Sequence, residues 1–150
     1  MSALKDLYRE VILDHNKSPR NFRKMPDADN TVEGFNPLCG DHYTVYVKMG
    51  GDLIQDVSFE GSGCAISKAS GSIMSMVLKG KTRTEAQETF EQFHKLVRGG
   101  MNAEDHVEEL GKLAAFGGVS EFPARVKCAS LAWHTVMAAI EHKTSTVTTE

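Results

Sequence analysis

The chain has 150 residues, 41% hydrophobic and 25% charged, with a formal net charge of −3 at pH 7. That length and balance suit one domain, residues 1–150, whose core needs no disulfide staples. A pI of about 6.1 excludes the basic footprint of non-specific nucleic-acid binding, no apolar run is long enough to cross a bilayer, and no signal-peptide pattern opens the chain.

The first element is an amphipathic helix over 3–15, where Leu7, Tyr8, Val11 and Ile12 recur at three-and-four spacing. His15 falls at its end, where a cation is mildly favoured. A loop follows to Asn30, and then the pattern turns to strand. A short strand covers 31–36, and His42 to Lys48 is β-branched and aromatic, with Tyr43, Val45 and Val47 facing the core. Met49-Gly50-Gly51-Asp52 marks a hairpin turn. The run 53–60 places Leu53, Val57 and Phe59 on one face. After Gly61-Ser62-Gly63, a helix begins near Cys64, capped by Ser62 or Gly63 and buried along Ile66, Ala69, Ile73, Met76 and Val77.

The next helix is capped by Thr84, or by Thr82 with Glu85 as a capping box, and ends at Gly99-Gly100. An acidic segment, 101–121, contains one short helix and packs as an insertion. Pro123 suits the first turn of the last helix, whose core face is Val126, Ala129, Trp133, Val136, Met137 and Ile140. The Ser/Thr-rich tail, 144–150, is expected to be disordered. This order gives an α+β domain: a small antiparallel three-stranded sheet with helices packed on one face.

Three cysteines cannot pair completely, and in a reducing cytoplasm, the expected location, such thiols serve metals or catalysis more often than disulfides. All three lie at element boundaries. Cys39 and Asp41 are two residues apart, so an extended backbone would point both to one side, and Gly40 between them permits a turn or a close ligand. Cys64 sits at a helix start, where amide groups favour thiolate. Cys128 lies early in the last helix near the cations Arg125 and Lys127, which favour it too. His42 is a stand-by donor on an exposed strand face. Three thiolates and one carboxylate fill a tetrahedral zinc shell, and soft thiolates also suit iron–sulfur clusters. No Ser-His-Asp order or Walker-type loop is present.

Asn36-Pro37-Leu38-Cys39-Gly40-Asp41, Gly61-Ser62-Gly63-Cys64-Ala65-Ile66-Ser67 and Arg125-Val126-Lys127-Cys128-Ala129 together resemble the iron–sulfur assembly scaffold family of IscU and NifU, across nearly the whole chain. The resemblance implies a compact α+β fold with Cys39, Asp41, Cys64 and Cys128 meeting at one exposed end. Lys127 stands where IscU-type members carry a histidine, and the segment from about Gly99 to Glu121 is longer than theirs. Both departures are those of the SufU branch, which is associated with a tightly held zinc and with a SufS-type cysteine desulfurase as sulfur donor. The resemblance therefore implies a zinc-dependent acceptor of persulfide sulfur, with Cys39 as the receiving thiol and Gly40, Arg125 and Lys127 in support. The alternative it implies is a scaffold that builds a transient [2Fe-2S] cluster for downstream assembly or apo-proteins. A third option is a purely structural zinc.

Overall fold

The computed structural model describes residues 2–141 and 147–148. Helix α1 spans Ser2–Lys17, and strands β1 (Asn30–Asn36), β2 (Asp41–Gly50) and β3 (Leu53–Ser62) form an antiparallel meander. Helices α2 (Ala65–Leu78) and α3 (Arg83–Val97) follow. Three 3₁₀ turns and the single-turn helix α4 (Val107–Leu110) lead to α5 (Pro123–Ile140). The two-residue strand β4 (Val147–Thr148) then pairs in parallel with β1 at Gly34 and Phe35. The sheet thus has four strands, ordered β3-β2-β1-β4, where three were expected. The fourth comes from the tail expected to be disordered. A β-branched pair fits the open edge of β1, whose backbone groups would otherwise be unpaired. Residues 144–146 and 149–150 of that tail lie outside the described residues.

Alternation sets the buried face. Val32, Tyr43, Val45, Val47, Val57 and Phe59 point into the core, under α5 and α2. Helix α5 lies directly on β1, because a Cβ at Gly34 would collide with the Thr135 hydroxyl. From Cys128 to Ile140, α5 is buried almost all round, which its apolar stripe alone does not predict. Trp133 stacks on Phe93 at 4.5 Å between centroids, and Phe93 meets Phe116 edge-on at 5.5 Å. Truncating Trp133 to Ala would cost about 3–5 kcal/mol.

Two expectations fail. Leu53 is 43% exposed, while Ile54 is fully buried. Lys48 pairs with Asp56 but Met49 pairs with Ile54, so Gln55 is an extra, bulged residue. One extra residue inverts the facing of everything before it. On α2, Met76 is 42% exposed, and Ser67, Ser70, Ser72 and Ser75 are buried in its place. Each of these serine hydroxyls is hydrogen bonded: Ser70, for example, donates to the Ala129 carbonyl at 2.5 Å and accepts from Trp133 Nε1 at 3.1 Å. Small hydroxyl side chains let α1 and α5 approach α2 closely, and their bonds offset the cost of burial.

His15 is not an exposed helix-end cation. It is wholly buried, with Nδ1 2.6 Å from the Ser72 hydroxyl, and Ser72 also accepts the Arg20 backbone N–H at 2.8 Å. Burial, then the nearby cations Arg20 and Lys112, lowers its pKa. His94 and His134 are lowered too, chiefly by burial. The unfolded chain binds protons that the fold refuses, so this contribution is complete above the unfolded value near 6.5 and is lost as pH falls towards the lower folded values. The denaturant midpoint should therefore drop between about pH 7 and pH 5. His15→Asn, which cannot titrate, should show a shallower drop in the same melts.

Candidate metal centre

The site forms where the β1–β2 turn, the start of α2 and the first turns of α5 meet. Cys39 lies in that turn, and Asp41 is the first residue of β2, paired with Asn36. Gly40 has φ +75°, and its N–H donates to the Asn36 carbonyl at 2.8 Å. The thiol and carboxylate are brought together by this reversal, not by the strand alternation expected for residues two apart. A left-handed residue here suits glycine.

Cys39, Asp41 and Cys128 present one donor atom each within 4.8 Å of one another. Cys39 is exposed, whereas Asp41 and Cys128 are buried. The Cys128 thiol lies 3.4 Å from Cys39 Sγ. Two sulfurs bound at 2.3 Å to one tetrahedral zinc stand about 3.8 Å apart, so this spacing and donor set fit such an ion.

Cys64 approaches differently. It is itself the N-cap of α2, in place of the Ser62 or Gly63 expected, and its Sγ accepts the Ser67 N–H at 3.4 Å. Its backbone N–H donates to Asp41 Oδ1 at 2.9 Å. The sulfur therefore stands outside the three-residue group, although it is close enough to Cys128 to oppose ionisation there. Burial pushes the Cys128 thiol far above its ordinary range, and hydrogen bonds that its S–H donates towards Cys39, Asp41 and Cys64 reinforce the shift. Arg125 and Lys127 do not make it a thiolate, contrary to their closeness in sequence. The Arg125 guanidinium lies over the Phe122 ring at 4.2 Å, and Lys127 lines a separate cavity. A cation at the cluster would have to displace the Cys128 proton, so metal uptake should release acid. His42 faces Glu33 at 3.5 Å on the exposed side of the sheet and is not part of the group.

Three supporting residues went unrecognised in the sequence. Asn36 is fully buried and directs Nδ2 at both Asp41 Oδ2, at 3.2 Å, and Cys128 Sγ, at 3.7 Å. The Tyr43 hydroxyl meets Ser67 Oγ at 2.9 Å, and burial raises its pKa, so it stays a neutral donor. Gly63 leaves space that a Cβ would close, 2.6 Å from Asp41 Oδ1. Asn36 could have been found from its place in the first motif. The other two depend on the register of β2 against α2.

Residues 7–129 match the model of the NifU-like N terminal domain family. The chain is 43% identical over 130 residues to the zinc-dependent sulfurtransferase SufU of Bacillus subtilis, covering 87% of this chain and 86% of that one. It is 38% identical over 141 residues to the iron-sulfur cluster assembly scaffold protein IscU of Streptococcus pyogenes, covering 94% and 87%. A crystal structure from Fervidobacterium islandicum AW-1, of a candidate iron-sulfur cluster assembly scaffold protein for the SUF system, superposes with a TM-score of 0.80 at 38% identity. It covers 87% of this chain and 94% of that one.

Asn36→Ala removes a donor from a buried carboxylate and should destabilise the metal-free protein by about 1–3 kcal/mol. Denaturant melts in a chelator check this. Gly63→Ala should weaken metal uptake by displacing Asp41, read by competition with a chromogenic chelator.

Proposed function

The chain belongs to the NifU-like N terminal domain family, and on that basis we propose that it serves iron–sulfur cluster biogenesis, as one domain, by accepting persulfide sulfur from a SufS-type cysteine desulfurase in a zinc-dependent manner. The observation that carries this reading is an exposed thiol, Cys39, held 3.4 Å from the buried thiol of Cys128 beside the buried carboxylate of Asp41. The relative from Bacillus subtilis is named a zinc-dependent sulfurtransferase. Lys127, which lines a cavity away from the cluster, offers no imidazole there, so the donors are sulfur and one carboxylate.

In this reading Cys39, Asp41, Cys64 and Cys128 are the ligands. Zinc bound there would draw the four donors together and keep thiols ionised at neutral pH. The chain's own residues do the rest. Asn36 and the Cys64 N–H hold the Asp41 carboxylate in one orientation. Gly40 lets the turn present Cys39 outward, where a partner's persulfide can reach it. The Cys39 thiolate attacks the outer sulfur of that persulfide. A sulfur–sulfur bond to Cys39 forms, the bond to the desulfurase cysteine breaks, and the electron pair leaves on that cysteine as thiolate. No external oxidant or reductant is needed. Arg125, exposed three residues before Cys128, supplies a cation to the approaching anionic sulfur. No helix among the described residues is long and apolar enough to cross a membrane, in keeping with a cytoplasmic partner.

The scaffold reading uses the same donors for a transient [2Fe-2S] cluster, and a relative from Streptococcus pyogenes bears the scaffold name. Metal analysis and visible spectra separate the two. The acceptor reading requires a colourless zinc protein that accelerates desulfurase turnover. The scaffold reading requires iron-dependent absorption and transfer to an apo-protein.

Cys39→Ala should reduce persulfide uptake, read by mass spectrometry, to background. Retained uptake would move the acceptor to another thiol. Asp41→Ala should lower zinc content and thermal stability together, and chelation of the unmodified protein should lower stability in the same direction.

A further inference from the structure

A second concave site lies on the opposite face of α5 from Cys128. It is a cavity of about 740 Å³ between α3, α5 and β4, within the range of small-molecule sites. Phe90, Met137 and Val147 supply apolar wall, while Arg98, Lys127, His94 and His134 supply positive or protonatable groups. The three rings of Phe90, His94 and His134 stand 5.2–5.6 Å apart between centroids. Neither Arg98 nor Lys127 makes an ion pair among the described residues. Ser130 also lines the cavity. It is 5% exposed, and its hydroxyl has no hydrogen-bond partner among the described residues. That oxygen is sealed from the cavity, so Ser130 contributes wall and not a donor.

We propose that this cavity is a second ligand site, for an organic phosphate whose apolar body lies against Phe90 and Met137. Its phosphate oxygens would accept from Arg98, Lys127 and the imidazoles of His94 and His134. Several donors from two helices suit a group with three terminal oxygens better than one with two. Glu141 stands on the rim and opposes the anion, so the phosphate belongs at the Arg98–Lys127 end. A metal ion fits poorly. Among the described residues the only group of three or more metal-ligating side chains is the Cys39–Asp41–Cys128 cluster, and two cations beside the histidine pair would repel another.

The histidines give the site a pH signature. Burial holds both in the neutral form, and Arg98 for His94 and His94 for His134 add to it. An anion reverses that bias, so affinity must rise as pH falls.

The test titrates the zinc-loaded full chain with phenyl phosphate, inorganic phosphate and benzenesulfonate, followed by calorimetry and by histidine ring NMR signals. Phenyl phosphate should saturate, shift the His94 and His134 signals, and bind more tightly than inorganic phosphate. Benzenesulfonate, whose charge is constant, should bind more tightly at pH 6 than at pH 8 by roughly threefold or more. A one-unit rise in one histidine's pKa gives at most about a factor of ten, and less near that pKa. Arg98→Ala should weaken phenyl phosphate about tenfold or more with zinc content unchanged. His134→Asn should weaken phenyl phosphate at pH 6 and flatten the pH dependence of benzenesulfonate binding. Failure of phenyl phosphate to saturate, or full affinity in both variants, would overturn the proposal.

Discussion

The centre depends on one buried carboxylate. Asp41 accepts the Cys64 backbone N–H on one oxygen and the Asn36 amide on the other, and Asn36 reaches on to Cys128. Three segments distant in sequence are tied, directly or through Asn36, to a single side chain. A desolvated carboxylate is expensive unless its lone pairs are filled, so the turn, the start of α2 and the start of α5 must hold these positions for the charge to be tolerated. The same constraint fixes where the thiols stand. Hydrogen bonding of the carboxylate and convergence of the donors are one structural fact.

Behind that cluster the helices are held by unusually small contacts. Serines on α2, with Gly71 against Phe59, let α1, α5 and the sheet close in on it from different sides. Ile73, Met74 and Leu78 anchor the helix by apolar burial, and hydrogen bonds such as Ser70 to Ala129 and Trp133 to Ser70 fix its position along the small-residue face. The position of Cys64 at its N-terminus is therefore set by contacts spread along the whole helix. Precision at the site is inherited from packing well behind it.

Much of this was legible in the residues. The first-turn proline of α5 and the alternation of β2 are local signals that appear as read, and of the two caps offered for α3 the box of Thr82 and Glu85 is the one formed. The three cysteine motifs were legible for the same reason, since each carries its own glycine or proline punctuation. What stayed hidden was set by distant partners. Ile54 rather than Leu53 faces inward because a bulge at Gln55 depends on pairing with Met49. His15 reads as a polar helix-end residue until Ser72, 57 positions later, is found against it. Neighbouring cations suggested a thiolate at Cys128, but in a folded chain burial outweighs nearness in sequence. Cys39 and Asp41 converge as expected, by a reversed turn whose geometry two-residue spacing does not specify.

The cap of α2 has a further consequence. The sulfur of Cys64 satisfies an amide of the first helical turn, and a thiolate keeps lone pairs beyond the one that N–H occupies. The amide that caps α2 therefore also favours the ionised form of this thiol that a soft cation needs, so helix and cation can share one sulfur. When the cation departs the sulfur still caps the helix, and the vacated ligand is not left as a dangling polar atom.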